Sequence, residues 1–223
     1  MPSRDLHVPF YEKDLAKGLG ARWDAQRKTW YAPDGTDASR FSRWFPQPAR
    51  ITLRAAHYFI AATQCICWQC ERVSGAWGFV LPPGHEAWTE LDAAPPHVQS
   101  DAQYEEWVQS DASVGWVEQD SAAVALRVRH IPESVQRRIA AVTGAYRHDF
   151  SMTLQSFYWM NHCTACGMKQ GDFELIEEYD APFYPIHDAA RIVLRPVFEA
   201  FHVEANSISY EPGVFAHMTR MEP

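Results

Sequence analysis

Cys67-Trp-Gln-Cys70 and Cys163-Thr-Ala-Cys166 are two Cys-x-x-Cys turns in a chain with only one further cysteine, Cys65. Such a turn presents two sulfurs to one side of an ion, and zinc held by four thiolates takes tetrahedral sulfur. The second turn continues into Gly167, a residue free to close a tight knuckle. One pair alone reads equally well as a redox dithiol, whereas two pairs together point to a single zinc site of four cysteines. Cys65 and His162 are alternate ligands: Cys65-x-Cys67 is too tight for the usual knuckle, and His162 suits a place beside a ligand better than a ligand's own. Four thiolates fill a tetrahedral shell, so the expected ion is structural.

Each turn must be positioned by strands. Residues 51–63 gain strand composition toward Cys67, and Trp77–Leu81 leads away until Pro82-Pro83-Gly84 ends it. Phe157–Met160 likewise runs into the second turn, and Phe173–Ile176 leads away from it. The turns are separated by 92 residues, far more than a compact ribbon allows. The expectation is therefore a split zinc ribbon, two hairpins pinned by one metal across an acidic insertion at about 82–150. The entropy of closing so long a loop grows only logarithmically, so a metal clip is reasonable and folding becomes metal-dependent. Inside the insertion, residues 101–109 predict a helix capped by Ser100 with Tyr104, Trp107 and Val108 on one face; 124–128 predicts a strand, and 132–142 a helix opening at Pro132. Ile192, Val193, Val197, Phe198 and Phe201 predict an amphipathic helix over 189–203.

The first fifty residues read as a compact unit of their own. Leu6–Phe10 predicts an edge strand and residues 11–19 a helix, with Leu15 and Leu19 four apart and Gly20 as its C-cap. Two strands, 21–24 and 28–31, flank the turn Asp24–Arg27, and Thr36 or Asp37 caps a last helix containing Phe41, Trp44 and Phe45. Phe45-Pro46-Gln47-Pro48 is the expected linker. The strings Val8-Pro9-Phe10, Lys13-Asp14-x-Ala16-Lys17-x-x-Gly20-Ala21-Arg22-Trp23-Asp24 and Lys28-x-Trp30-Tyr31-Ala32-Pro33 resemble the small DUF5710 family, with Phe10 where tyrosine is commoner. The resemblance covers about a fifth of the chain. It implies an association with primase-like and other mobile-element proteins, and no particular chemistry.

Trp23, Trp30 and Tyr31 stand among Lys17, Arg22, Arg27 and Lys28, the combination with which proteins stack bases and track phosphates of single-stranded nucleic acid. Lys17, Arg22, Arg27, Lys28, Trp30 and Tyr31 are thus the candidate contacts. The bland alternative makes the tryptophans the core of a small domain and pairs Arg22 with Asp14 or Asp24. Residues 1–50 carry nine basic and six acidic side chains in a chain of net charge −8, so the remainder carries −11. A net of +3 implies weak, salt-sensitive binding. Between Arg72 and Arg127 there is no lysine or arginine, while Glu86, Glu90, Asp92, Asp101, Glu105, Glu106, Asp111, Glu118 and Asp120 accumulate. This segment serves either as a solvated face or as a dock for a basic partner.

No metalloprotease, serine-hydrolase, P-loop or zinc-deaminase signature is present, and neither cysteine pair opens the helix of a βαβ unit as a thioredoxin-like dithiol does. The first residues have no basic and apolar leader pattern, no apolar run approaches about 20 residues, and the cysteine spacing favours reduced thiols, so a cytoplasmic, bacterial-type protein is expected. The sequence thus predicts an α+β protein: a small α+β module (1–47), then a larger α+β domain (48–223) built on a split zinc ribbon. The expected function is a non-enzymatic, zinc-stabilised accessory protein that binds nucleic acid or a nucleic-acid-processing complex. The alternatives are an adapter using the acidic 86–120 segment and, less favoured, a redox enzyme.

Overall fold

The computed structural model describes residues 4–6, 8, 12–27, 29–45, 50–91, 93–210 and 213–222. The chain divides into two compact units, residues 1–49 with 150–157, and residues 50–149 with 158–223. Both helices and sheets are present, with strands dominating.

In the first unit, β1 (Arg4–Leu6), β2 (Arg22–Asp24) and β3 (Thr29–Ala32) form an antiparallel sheet ordered β1-β3-β2. Helix α1 (Lys13–Gly18) ends because Gly20 takes φ +102°, a left-handed value that glycine reaches without strain. Its buried residue is Ala16, whereas Leu15 is half exposed and Leu19 packs only partly. The core is Leu6, Val8, Ala16, Ala21, Ala32, Phe41 and Trp44. Asp24 Oδ1 accepts from the N–H groups of Gln26 and Arg27 at 2.9 Å, which closes the β2–β3 turn. Asp37 accepts from Ser39 N at 3.0 Å at the head of a 3₁₀ segment, Ala38–Trp44. The expected strand at Pro9-Phe10, Lys28 and the linker 46–48 lie outside the described residues.

The second unit is built on a nine-stranded sheet. Its strands are β4 (Leu53–Ala55), β5 (Tyr58–Ile66), β6 (Val73–Leu81), β7 (His85–Glu90), β8 (Val114–Gln119), β9 (Ala123–His130), β13 (Val193–Val197), β14 (Phe201–Tyr210) and β15 (Thr219–Arg220). Their order is β15-β13-β5-β6-β9-β14-β4-β7-β8, antiparallel except where β13 meets β15. A smaller sheet, β10-β11-β12, is formed by Tyr146–Ser151, Ser156–His162 and Lys169–Gln170. Helix α2 (Asp101–Val108) carries the expected Ser100 cap, completed by Gln103 as a capping box, and α3 (Glu133–Val142) follows Pro132. On α2 only Trp107 is buried; Tyr104 and Val108 are exposed.

The centre of the large sheet is covered on both faces. Tyr58, Ile60, Phe79 and Leu81 pack with Val135 and Ile139 of α3, while Phe59, Ala61, Cys65 and Val80 pack with Leu175, Ile176 and Phe183. Burial on both faces explains the continuous apolar runs of β5 and β6. Two expectations need correction. Residues 189–203 form a 3₁₀ turn (Ala189–Arg191) and then β13 and the start of β14, not a helix. Pro196 is tolerated there because β15 pairs only with Val193 and Leu194, so its missing N–H breaks no ladder bond on that side. Residues 173–176 form a π-type turn (Phe173–Glu177), and the strand leaving the second cysteine turn is β12. Within 82–150, β7, β8 and β9 are strands of the nine-stranded sheet.

Candidate metal centre

Cys67 and Cys70 occupy the turn from β5 to β6, and Cys163 and Cys166 the turn from β11 to β12. The two turns are built alike. Cys67 N donates to Arg72 O at 3.0 Å and Glu71 N to Cys67 O at 2.8 Å; Cys163 N donates to Met168 O at 2.7 Å and Gly167 N to Cys163 O at 2.9 Å. Each closes through a left-handed residue just after its second cysteine, Glu71 at φ 56° and Gly167 at φ 75°.

The four sulfurs converge. Cys67 Sγ lies 3.7 Å from Cys166 Sγ, Cys70 Sγ lies 3.7 Å from Cys163 Sγ, and all four lie within 4.8 Å of one another. A sulfur tetrahedron with metal–sulfur bonds of about 2.3 Å has edges of about 3.8 Å, so the spacing fits one tetrahedral ion. All five cysteines are free thiols. Cys65 stands outside the group, buried in the apolar cluster with Phe59 and Leu194, and burial pushes its thiol up to about 11. His162 stands outside as well: its Nδ1 is 3.3 Å from Ala145 O and its Nε2 3.0 Å from Asp149 Oδ2. Asp149 also meets Lys169 Nζ at 3.0 Å.

The turn backbones favour thiolate at Cys163 and Cys70, whereas Cys166, despite the Met168 backbone N–H, is pushed up to about 12 by burial and the neighbouring sulfurs. The backbone N–H of Cys166, followed by that of Ala165, draws Cys163 down to about 6, and the Arg72 backbone N–H draws Cys70 below the ordinary thiol value. Ala165 N donates to Cys163 Sγ at 3.4 Å and Gln170 Nε2 to Cys67 Sγ at 3.3 Å. Buried polar side chains hold the two hairpins together. Asn161 accepts from Trp77 N and donates to Trp77 O, both at 2.8 Å, replacing a strand partner where β6 has parted from β9; those two strands pair only at Val80 and Leu81. Ser74 Oγ accepts from Thr164 N at 3.0 Å. Sequence reasoning missed Asn161, Ser74 and Gln170, because a polar residue in a strand gives no sign of whether it faces water or a neighbouring turn.

The nucleic-acid candidates are placed in the first unit and do not share one face. Arg22, Tyr31 and Asp5 lie side by side across the sheet, and Trp23, Trp30 and Leu6 form the next register, so the two sets face opposite ways. Trp30 packs on the core and meets Trp23 at 5.6 Å between ring centroids. Arg27 is exposed and ion-paired with Asp5. Lys17 is exposed in the last turn of α1. The outer face therefore brings together Arg22, Tyr31 and the Arg27–Asp5 pair.

With this geometry established, comparison with known proteins adds one assignment. Residues 4–46 match the family model of DUF5710, a domain of unknown function. Over 39 residues, 18% of this chain and 3% of that protein, the chain is 59% identical to a DNA primase TraC of Escherichia coli. A second match to an Escherichia coli DNA primase TraC is 48% identical over 50 residues, covering 22% of this chain and 5% of the primase. The chain thus spans only a small fraction of the length of these relatives. No solved structure matches it. Among the described residues no helix is long and apolar enough to cross a membrane.

Proposed function

We propose that this is a non-enzymatic accessory protein in which one structural zinc, held by Cys67, Cys70, Cys163 and Cys166, joins two hairpins as a split ribbon, and whose DUF5710 segment contacts nucleic acid or a nucleic-acid-processing complex. The observation that carries the zinc reading is the convergence of four sulfurs, at tetrahedral spacing, from turns 92 residues apart. Four thiolates leave such an ion no open position, which supports a structural role over water activation. Each pair runs on into a strand, β6 or β12, which supports a metal knuckle over a thioredoxin-like dithiol.

The nucleic-acid half is supported by the likeness of the segment to DNA primases and by the outer face around Arg22 and Tyr31. The test has two arms. Metal analysis of the purified protein should find one zinc per chain, and Cys67→Ser and Cys166→Ser should each lose it and melt earlier; full occupancy with unchanged melting in both variants overturns the zinc reading. Fluorescence anisotropy with labelled single- and double-stranded oligonucleotides should show binding that weakens steeply with salt and drops on Arg22→Ala. An absence of binding even at low salt overturns the nucleic-acid reading.

A further inference from the structure

Gln170 is a glutamine with 4% of its surface exposed, on a two-residue strand beside the metal centre. Its cross-strand partner is Asn161, and directly paired residues project from the same face of an antiparallel pair. Both amides reach the first hairpin: Asn161 grips the backbone of Trp77, and Gln170 Nε2 lies 3.3 Å from Cys67 Sγ. The same nitrogen lies 3.2 Å from Met168 O and 3.1 Å from Lys169 O. Three acceptors surround this end of the amide, so the nitrogen and not the oxygen must occupy it.

The two leading cysteines are supplied differently. Cys163 Sγ receives an N–H from its own turn, at Ala165, whereas Cys67 Sγ receives one from a side chain 103 residues away in sequence. Cys67 is fully buried, so water cannot disperse the charge of its thiolate. We infer that Gln170 is a positioning residue of the metal centre, donating an N–H···S hydrogen bond that aims the Cys67 thiolate at the ion and draws off part of its charge. This rests on the metal reading above and adds to it a residue that is not a ligand yet sets how firmly the ion is held. The donor belongs to the second hairpin and the sulfur to the first, so the bond forms only when the halves of the site meet.

The test uses the full chain loaded with Co(II), whose thiolate charge-transfer bands report the electron density on sulfur. Gln170→Met keeps length and volume but removes the donor, and Gln170→Glu sets a carboxylate against the thiolate. Expected for Q170M, with circular dichroism like the parent's, are charge-transfer bands moved to longer wavelength and an affinity about 10–100-fold lower in competition with a chelator. Q170E should lose more. A folded Q170M with unmoved bands and affinity within about twofold of the parent overturns the inference, since a purely structural glutamine would alter melting alone. If Q170M does not fold, Gln170→Asn, whose amide stops one methylene short of the sulfur, carries the same comparison. A parent protein that takes up no cobalt overturns the metal reading, and this inference with it.

Discussion

Asp172 is a buried carboxyl beside the hairpin that carries Cys163 and Cys166, and its Oδ2 accepts from Arg127 N at 2.6 Å. That N–H belongs to a residue held at φ 48°, in the left-handed region, within β9. Burial pushes Asp172 up to about 7 despite this hydrogen bond, with the charges of Glu177 and Glu174 adding to the rise. Tyr158 is pushed up to about 12, and Tyr146 is raised too, each by burial first and then by the charge of Asp172. The ordinary aspartate value is about 3.9, so between roughly pH 4 and pH 7 the unfolded chain releases a proton that the folded chain keeps. Stability contributed by this group is therefore present at acid pH and lost as pH rises through 7, at up to about 1.4 kcal/mol per unit. Asp172→Asn retains an acceptor for Arg127 N without the charge. Urea unfolding at pH 5 and pH 8, with metal held saturating, should find the variant more stable than the parent at pH 8 and the gap narrowed at pH 5. Equal pH slopes for the two proteins would show that Asp172 ionises as freely folded as unfolded.

At the scale of the element, the two cysteine turns share hydrogen bonding but not sequence, which yields a paired prediction. Glu71 takes a left-handed conformation where Gly167 stands in the second turn. Glu71→Gly should stabilise by up to about 1 kcal/mol, and Gly167→Ala should destabilise by about 1–2 kcal/mol through backbone strain, since nothing crowds its Cβ position. Denaturant midpoints read both, and opposite signs are the expected outcome. Gly75 is different: a Cβ there would run into the Trp77 ring, so Gly75→Ala must displace the indole and should lower stability by about 1–3 kcal/mol. These turns also mark how far sequence carries. Cys-x-x-Cys, Ser100 and Gly20 were legible because each acts through its own chemistry within a few residues. Residues 189–203 were not, because β13 buries Leu194 and Val197 and partly covers Val193, and so loses the alternation that distinguishes strand from helix. The placement of the candidate contacts is a different case: alternation does hold in β3, and it sends Trp30 and Tyr31 to opposite sides.

For the whole molecule, what matters is that the sulfurs come from strands with little else in common. The β5–β6 hairpin lies mid-sheet, bonded along its length, while β12 is two residues long and cannot persist alone. On the proposed metal reading, an ion joining them would close a loop of 92 residues, a constraint worth about 4–5 kcal/mol in the chain-entropy picture used for cross-links. Metal removal should then act unevenly. The amides of Cys163 and Gly167, bonded to Met168 O and Cys163 O, and the amide of Thr164, bonded to Ser74 Oγ, depend on the smaller sheet staying docked. Amides in the middle of β5 and β6, held by their own ladder and covered on both faces, do not. Hydrogen exchange before and after chelation should find protection lost first across 161–170, less at 67–72, and least at 59–62 and 77–80. The β1-β3-β2 sheet, with its own core of Leu6, Ala32 and Phe41, should keep its protection throughout. A uniform loss across all of these segments would mean that the ion stabilises the chain globally rather than by holding the second hairpin against the first.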